Sequence, residues 1–271
     1  MADLARAAAT DTVVRPFAGG LAICATRGSP VNKVIGVGFG EVFDERALEA
    51  IEEEWRGRGE PVRFELSALA EAQNGTVLTR RGYRLIGFEH EMGRSLDDVG
   101  EDFPPSLKLR QTCRSLGGSG SPAIEGLTIE RVSDDLIPVW REVVVDGFFH
   151  LDGTGTGSEE SFTRDALDQM MGDFAKAPGV DKFLVRIHGE PVGAASMRLD
   201  DGIAQLSGAT TLPAFRKRGV QTALLRHRLR TARESASELA VVTTQPGSRS
   251  QANTQRQGFQ LLYARAILVK D

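Results

Sequence analysis

Two stretches of the chain carry the same order of hydrophobic and polar positions. Each begins with a strand-like run, at 31–40 in the first stretch and at 202–211 in the second. Each continues with apolar residues at helical spacing, from Leu48 to Trp55 and from Leu225 to Ala236. The pattern therefore predicts a β-strand followed by an amphipathic helix in both stretches.

The two stretches also continue in the same way. Apolar runs at 62–66 and 239–244 predict a further strand in each. A short helix then leads to a glycine and an aromatic residue, Gly82–Tyr83 in the first and Gly258–Phe259 in the second, and a last strand follows. We interpret this echo as a tandem duplication, whose period is far too long for a solenoid.

The segment between the two copies has a different composition. It contains "DDVGEDFPPS" and "SLGGSGSPAIEG", which are rich in Gly, Ser, Pro and acidic residues and lack a periodic apolar pattern. This composition is typical of a linker. We therefore predict a first domain at residues 1–95, a linker at 96–125 and a second domain at 126–271.

The second copy is the more complete one. Before its shared part it adds the strand "GLTIERV", the helices "DLIPVWREVVVDGFF" and "FTRDALDQMMGDF", and a hairpin that turns at His188–Pro191. In the first copy, only "VVRPFAGGLAICATRG" stands in this place, and it predicts a hairpin. The fold class predicted for both copies is α/β (α+β), a mixed central sheet flanked by helices, with a shorter N-terminal copy.

Composition narrows the class of protein. Of 271 residues, 41% are hydrophobic and 26% are charged, as in ordinary globular proteins, and the net charge of -4 with 6% aromatics argues against a general nucleic-acid binder. Cys24 and Cys113 lie far apart without a histidine cluster, so we expect inert thiols rather than a disulfide or a metal site. No apolar run approaches the roughly 20 residues of a membrane span, and we expect a cytoplasmic protein.

A basic window stands out against this acidic background. Between Asp201 and Glu234 there is no acidic residue, but there are seven cations: Arg216, Lys217, Arg218, Arg226, Arg228, Arg230 and Arg233. The first three precede Gly219, where a strand gives way to a predicted helix N-terminus. Unpaired N–H groups and the helix dipole favour an anion there, and glycine admits its close approach, so we predict a basic surface that binds phosphate.

The first copy differs at the equivalent place. There "GFGEVFDERALEAIEEE" carries Glu41, Asp44, Glu45, Glu49 and Glu52 to Glu54, which would repel a phosphate. The spacing of "GVGFG" does not fit a dinucleotide-binding fingerprint. We therefore expect a phosphate site in the second copy alone.

At this point the sequence resembles the GNAT superfamily of acyl-CoA-dependent N-acyltransferases. The family motif is Arg or Gln, two residues, Gly, one residue, and Gly or Ala at the start of a helix, and "RKRGVQ" matches its Arg and first Gly. Gln221 departs from the small residue at the last position. The resemblance extends through "NTQRQGF" and covers about residues 126–271, whereas the first copy is similar to a degenerate GNAT half.

The resemblance implies a set of residues for acetyl-CoA, with no metal. The backbone of Ala209, Thr210 and Thr211 would pair with the pantetheine arm where the central strand splays from its neighbour. Arg216 is the first residue of the motif, and the pyrophosphate would be held by Lys217, Arg218, Gly219, Val220, Gln221 and Thr222. Asn253 would reach the coenzyme from the last helix, or alternatively cap that helix.

The resemblance also implies direct acyl transfer to a neutral amine. A backbone N–H near Thr211 would stabilise the oxyanion. Thr254 stands where many relatives carry a tyrosine as general acid, so we take Tyr263 as the candidate general acid instead. For acceptor binding or proton removal the candidates are His150, Asp152 and Glu159, in a loop between the first two helices of the complete copy; proton removal through water is the alternative.

These features lead to one leading hypothesis and several rivals. The leading hypothesis is an acetyl-CoA-dependent N-acetyltransferase that acts on a small-molecule amine as a monomer or homodimer, with no nucleic acid or membrane as partner. Peptide or protein amines are the second substrate class. The rival from another class is a non-catalytic acyl-CoA-binding or regulatory module that has kept the coenzyme site and lost the chemistry.

Overall fold

A single mixed β-sheet runs through the chain. The computed structural model describes residues 12–97, 124–150, 154–155 and 162–271. In these residues the sheet has 11 strands in the order β1-β2-β3-β4-β11-β5-β10-β9-β8-β7-β6. The strands are β1 Val13–Phe17, β2 Gly20–Cys24, β3 Lys33–Ile35, β4 Val62–Ser67, β5 Arg84–Ser95, β6 Leu127–Arg131, β7 Val180–Ile187, β8 Glu190–Asp200, β9 Ile203–Thr211, β10 Leu239–Thr244 and β11 Gln260–Lys270.

Helices cover both faces of this sheet. Within the described residues the α-helices are α1 Glu45–Gly57, α2 Ala72–Arg80, α3 Ile137–Phe149, α4 Arg164–Lys176, α5 Val220–Glu234 and α6 Arg249–Arg256. Short 3-10 turns precede α3 and α5. The predicted fold class, a mixed sheet flanked by helices with a shorter N-terminal copy, is therefore confirmed, and the two sheets are found to be continuous.

The two copies exchange their last strands. The last strand of the first copy, β5, pairs antiparallel with β10 of the second copy, from Leu239↔Ser95 to Thr244↔His90. The last strand of the second copy, β11, pairs antiparallel with β4 of the first copy. Because β5 and β11 also pair with each other, the backbone hydrogen bonds of the sheet pass without a break from one copy to the other.

Three hydrophobic clusters hold the helices on the sheet. Trp55 of α1 packs with Phe64 of β4 in the first copy. Leu229 of α5 packs on the same face of the sheet in the second copy, in the cluster that also holds Met92 of β5. On the opposite face, the fully buried Trp140 of α3 packs with residues of α4, β7 and β8. One face thus carries α1, α2, α5 and α6, and the other carries α3 and α4.

Two sequence predictions need correction in their extent. The predicted strand at 31–40 is only Lys33–Ile35, because Gly36, Gly38 and Gly40 all have positive φ and turn the chain away from the sheet. The helix predicted to reach Ala236 ends at Glu234, and Ala236 has a φ of 57°. Both predicted hairpins, β1–β2 and β7–β8, are present.

One half-buried histidine in α5 predicts a pH dependence of stability. His227 packs edge-on against the Phe183 ring at 5.2 Å, and burial, followed by the charges of Arg230 and Arg228, lowers the pKa of His227 to about 4. The unfolded chain, with a pKa near 6.5, binds this proton first, so stability is lost as the pH falls below about 6.5. We expect the free energy of unfolding to fall by about 3 kcal/mol between pH 6.5 and 4 through this group.

Denaturant unfolding at both pH values measures this loss. The variant His227→Gln, which cannot titrate, should show a smaller loss over the same range. An equal loss in both proteins would mean that other groups carry the pH dependence.

Candidate functional site

A wedge-shaped opening separates β9 from β10 in the second copy. The two strands run parallel and pair only from Leu239↔Ile203 to Val242↔Leu206. Beyond these pairs, β9 is paired with β8 alone up to Thr211, and Thr243 and Thr244 of β10 are paired with β5 alone. One backbone edge of β9 is therefore free of strand partners where the two strands separate.

A β-bulge shapes the free edge of β9. Across β8 and β9, Ala194 pairs with Thr210 and Ser196 pairs with Ser207, so two residues of β9 stand opposite one residue of β8. Gly208, in the bulge, has a φ of 60°, and a Cβ there would lie 2.9 Å from Ser196 Oγ. A bulge of this kind turns the strand and re-aims the residues that follow it. These residues include Ala209, Thr210 and Thr211, the positions predicted for the pantetheine arm.

The loop after β9 ends at a helix that has no side-chain cap. Lys217 and Gly219 both have left-handed backbone, with φ of 63° and 86°. Gly219 is the N-cap of α5, and no side chain among the described residues bonds to this helix start. The first N–H groups of a helix lack intrahelical acceptors, so they and the dipole attract an anion. The cations Lys217 and Arg218 lie next to this helix start.

The first copy closes the equivalent helix start with its own side chains. The N-cap of α1 is Asp44, whose carboxylate accepts from the Arg46 N–H at 2.9 Å. The buried Asn74 fastens the preceding loop, because its Oδ1 accepts from the Phe43 N–H at 2.8 Å and its Nδ2 donates to the Glu41 carbonyl at 3.0 Å. The start of α5 thus offers backbone N–H groups to an anion, whereas the start of α1 presents the carboxylate of Asp44, which repels one.

Three of the predicted coenzyme residues bond to neighbouring parts of the chain. The guanidinium of Arg216 donates to the Thr211 carbonyl at 3.1 Å and to the His150 carbonyl, so it joins the end of β9 to the end of α3. Gln221 Oε1 accepts from Asn253 Nδ2 at 2.5 Å, which joins the start of α5 to α6. The cap of α6 is Ser248, so the alternative role of Asn253 as a cap is wrong.

One of the predicted surface cations is not at the surface. Arg228, on α5, is buried, whereas Lys217 and Arg218 in the loop are exposed. The basic surface predicted from the sequence therefore lacks Arg228.

The predicted catalytic residues lie in different surroundings. Thr254 is 4% exposed, and its hydroxyl donates to the Gln251 carbonyl of its own helix at 2.8 Å. Thr211 Oγ1 is buried without a hydrogen-bond partner among the described residues. Tyr263 lies on β11 opposite Glu91 of β5. Tyr263 is therefore placed in the exchanged part of the sheet, two strands away from β10.

The candidate acceptor loop is described only in part. His150 ends α3, where its Nδ1 lies 2.8 Å from the Asp146 carbonyl. Asp152 and Glu159 lie outside the described residues. Nearby, Thr154 Oγ1 accepts from the Arg249 N–H at 3.1 Å, and the Phe162 ring lies 5.8 Å from Arg63 Cζ of β4. The described parts of this connection thus contact both α6 and the first copy.

A row of polar side chains crosses the exchanged strands beside the opening. Thr243 of β10, Glu91 of β5 and Tyr263 of β11 occupy one register row. Thr243 Oγ1 donates to Glu91 Oε1 at 2.7 Å. They share the sheet face of α3 and α4, because Met92 and His90, the neighbours of Glu91, contact the α5 core and Gln251 of α6 on the other face.

An ion-pair network continues this row into the first copy. Arg265 of β11 contacts Glu91 at 3.0 Å, Glu89 at 2.7 Å and Glu65 at 2.8 Å. Glu65 in turn contacts Lys33 of β3 at 3.0 Å. The network holds three carboxylates and two cations, so it is net negative. Sequence reasoning missed it because its members meet only through the strand exchange.

The surroundings of this row shift two pKa values. Burial, and then the nearby charge of Glu91, raises the pKa of Tyr263, so its phenol stays protonated at neutral pH. Burial raises the pKa of Glu89 against the opposing effect of Arg265. The row that starts beside the opening therefore ends, two strands away, at a protonated phenol.

The described residues hold neither a membrane helix nor a metal cluster. None of their helices combines the length and apolar character needed to span a bilayer. No three of their His, Cys, Asp or Glu side chains come together as metal ligands would.

Comparison with known proteins relates this geometry to one family. The family model described as "Acetyltransferase (GNAT) family" matches residues 149–259. That range contains the opening between β9 and β10, the loop after β9 and the start of α5. A search of curated protein sequences gives no match to this chain.

Solved structures resemble the whole chain. A GCN5-related N-acetyltransferase from Kribbella flavida matches with a TM-score of 0.66 and 16% identity, over 99% of this chain and 91% of the other. A tandem GNAT protein from the clavulanic acid biosynthesis pathway matches with a TM-score of 0.63 and 13% identity, over 98% and 85%. A GCN5-related N-acetyltransferase from Sphaerobacter thermophilus matches with a TM-score of 0.59 and 17% identity, over 83% of this chain and 67% of the other. At these identities the likeness concerns the fold.

Proposed function

Because residues 149–259 match the model of the GNAT acetyltransferase family, we propose that the protein transfers an acetyl group from acetyl-CoA to the primary amine of a small molecule. The observation that carries the proposal is the uncapped start of α5 beside the opening between β9 and β10. The first copy offers a capped helix start instead. The second copy therefore carries the coenzyme site in this proposal.

The coenzyme is proposed to follow the free edge of β9 to the start of α5. The backbone of Ala209–Thr211 would pair with the amides of the pantetheine arm, and the N–H groups of Lys217–Thr222 would hold the pyrophosphate. Arg216 supports this arrangement indirectly, because its guanidinium holds the carbonyls of Thr211 and His150. Gln221 and Asn253 would fix the start of α5 against α6.

The proposed reaction is direct attack of a neutral amine on the thioester. The amine nitrogen bonds to the acyl carbon, a backbone N–H of β9 near Thr211 stabilises the oxyanion, and the carbon–sulfur bond then breaks. Glu91 is the proposed acceptor of the amine proton, since among the carboxylates of the network it lies in the row nearest the opening. Tyr263, on the other side of Glu91, is the proposed proton donor to the leaving thiolate.

Calorimetric titration with acetyl-CoA tests the coenzyme site. Saturable binding that desulfo-CoA reproduces and adenosine does not would support a site that holds the pyrophosphate. No binding of acetyl-CoA to the folded protein would remove the proposal. Release of free thiol in the presence of a panel of primary amines, measured with a thiol reagent, then tests the transfer itself.

Two conservative variants separate chemistry from binding. We expect Glu91→Gln to lower kcat at least tenfold, because the amide cannot accept the proton, and Tyr263→Phe to lower it severalfold, because a thiolate leaves without obligatory protonation. Both should bind acetyl-CoA with a Kd within threefold of the parent protein. Unchanged kcat in Glu91→Gln would mean that the amine proton is accepted by water or by a residue of the loop that contains His150, Asp152 and Glu159.

One observation favours the rival module that binds acyl-CoA without turnover. The hydroxyl of Thr254, at the position of the usual tyrosine, is satisfied within its own helix and is buried. Coenzyme binding without thiol release across the amine panel would favour the module. Acetylation of peptide amines in preference to small amines would favour the protein N-acetyltransferase.

A further inference from the structure

A buried arginine in α5 pairs with no carboxylate of the described residues. Arg228 is 2% exposed, and it takes part in none of the salt bridges of the described residues. Its Nε is buried without a hydrogen-bond partner in that part of the chain. Arginine is almost never fully buried unless it is paired, so this side chain is exceptional.

The guanidinium of Arg228 donates hydrogen bonds to the backbone beside the bulge of β9. Its Nη1 donates to the Ser196 carbonyl at 3.0 Å and to the Ser207 carbonyl at 3.3 Å. Ser196 and Ser207 are the register pair that directly precedes the bulge, and their hydroxyl oxygens lie 3.0 Å apart. Arg228 thus ties β8 to β9 at the point where β9 leaves its pairing with β10.

Stability alone does not account for this residue. Removing a guanidinium from water is costly, and no carboxylate in the described part of the chain supplies the Coulomb attraction that offsets this cost in a buried ion pair. Burial lowers the pKa of Arg228 to about 10, so the charge is still present at neutral pH. Replacing buried charges by apolar residues of similar volume is often neutral or stabilising.

We infer that Arg228 is a positioning residue for the acyl transfer. It fixes the bulge, and through the bulge the backbone of Ala209–Thr211 that would bind the pantetheine arm and the oxyanion. The charged guanidinium donates to the Ser207 carbonyl, two residues before Ala209. A fixed cation shielded from water at this position would favour the negative charge that develops on the oxyanion. The inference rests on the proposed function for its catalytic part, and on the structure alone for the bulge.

The test compares three variants of the full chain. Arg228→Met removes the charge and the donor but keeps much of the volume, and Arg228→Lys keeps a charge and a donor. Arg141→Met, at a half-buried arginine of α3 that pairs with Asp168 at 3.0 Å, is the control for the loss of an arginine charge away from the bulge. The two readouts are amide hydrogen exchange of peptides covering 203–211, by mass spectrometry, and kcat and Kd with acetyl-CoA and the amine panel.

We expect Arg228→Met to exchange at least tenfold faster than the parent at 207–211 and to lose at least tenfold in kcat, without a lower Tm. Arg228→Lys should recover part of the kcat, and Arg141→Met should match the parent in both readouts. Parent-like exchange at 207–211 in Arg228→Met would overturn the inference. Faster exchange with unchanged kcat would overturn its catalytic part.

The two readouts keep this inference separate from the proposed function. If the parent protein releases no thiol with any amine, the proposed transfer fails and so does the catalytic part, while hydrogen exchange still decides whether Arg228 holds the bulge. If Arg228→Met does not fold, the lysine variant provides both readouts. Faster exchange at 207–211 together with a lower kcat in the lysine variant would then support the inference, whereas parent-like exchange with a lower kcat would overturn it, because kcat would change without any change at the bulge.

Discussion

Gly219→Glu is expected to weaken acetyl-CoA binding at least 100-fold while the protein remains folded. The substitution places a carboxylate at the N-cap of α5, where the proposal puts the pyrophosphate. A Cβ at residue 219 meets Ile124 Cδ1 at 3.5 Å, an ordinary contact, so the chain has room for the side chain. The φ of 86° adds backbone strain of roughly 1–3 kcal/mol.

Gly219→Gln is the matched control for this variant. It has the same strain and nearly the same bulk as the glutamate but no charge, so calorimetry of both isolates the electrostatic effect. We expect glutamine to weaken binding about tenfold, roughly 1.4 kcal/mol, because the strained loop relaxes in the free protein and must regain its left-handed φ to bind. Equal affinities of the two variants would contradict an anion at this helix start, and parent-like affinity of a folded Gly219→Glu would remove the phosphate-loop argument.

Gly147→Ala is expected to destabilise the protein and to weaken coenzyme binding together. Gly147 lies in α3, and a Cβ there would lie 1.7 Å from Thr210 Oγ1 and 2.5 Å from Thr210 Cβ. Helix and strand must separate to admit one methyl group, and overpacking of this kind costs about 1–3 kcal/mol. Because Thr210 belongs to the free edge of β9, the shift also moves the proposed pantetheine contacts.

Thermal unfolding and acetyl-CoA titration measure both effects. Gly57→Ala in α1 is the control, because a Cβ at residue 57 meets nothing within 4 Å, and there the same substitution should raise stability by about 0.4–1 kcal/mol. In a double-mutant cycle, Gly147→Ala with Thr210→Gly should lose less than the sum of the single variants. A parent-like Tm for Gly147→Ala would mean that α3 does not rest on β9 at this glycine.

The helices and the start of α5 were predictable from sequence because their signals are local. Helical spacing at Leu225 and Leu229 marks the buried face of α5, and a glycine after three cations marks its start. The left-handed φ of Gly219 agrees with the residue type at that position. These features need no knowledge of which strand lies next to which.

The row of Glu91, Thr243 and Tyr263 could not be predicted from the sequence, because it depends on which strands become neighbours. Both β5 and β11 follow a glycine and an aromatic residue, and either one satisfies the local pattern of a last strand. Alternation tells which face a side chain takes but not which strand becomes the neighbour. Tyr263 is a candidate from the sequence alone, whereas its neighbour Glu91 becomes one only once the exchanged strands bring the two residues together.

Arg228 shows a different limit of sequence reasoning. Because Arg226 and Arg230 lie close to it in the sequence, Arg228 was predicted to be one more surface cation. Its burial follows from its place on the inward side of α5, next to Leu225 and Leu229, and from two backbone carbonyls that no side-chain pattern records. A cation within the apolar face of a helix is the one local signal that pointed to it.

The strand exchange also bears on how the chain folds as it leaves the ribosome. During synthesis β4 is complete at Ser67 and β5 at Ser95, long before β10 and β11 exist. Gln260–Lys270, the strand that lies between β4 and β5 in the finished sheet, is the last of the strands to be made. The middle of the sheet therefore closes only when this strand is available, and we expect slow folding because its pairings join residues far apart in the chain.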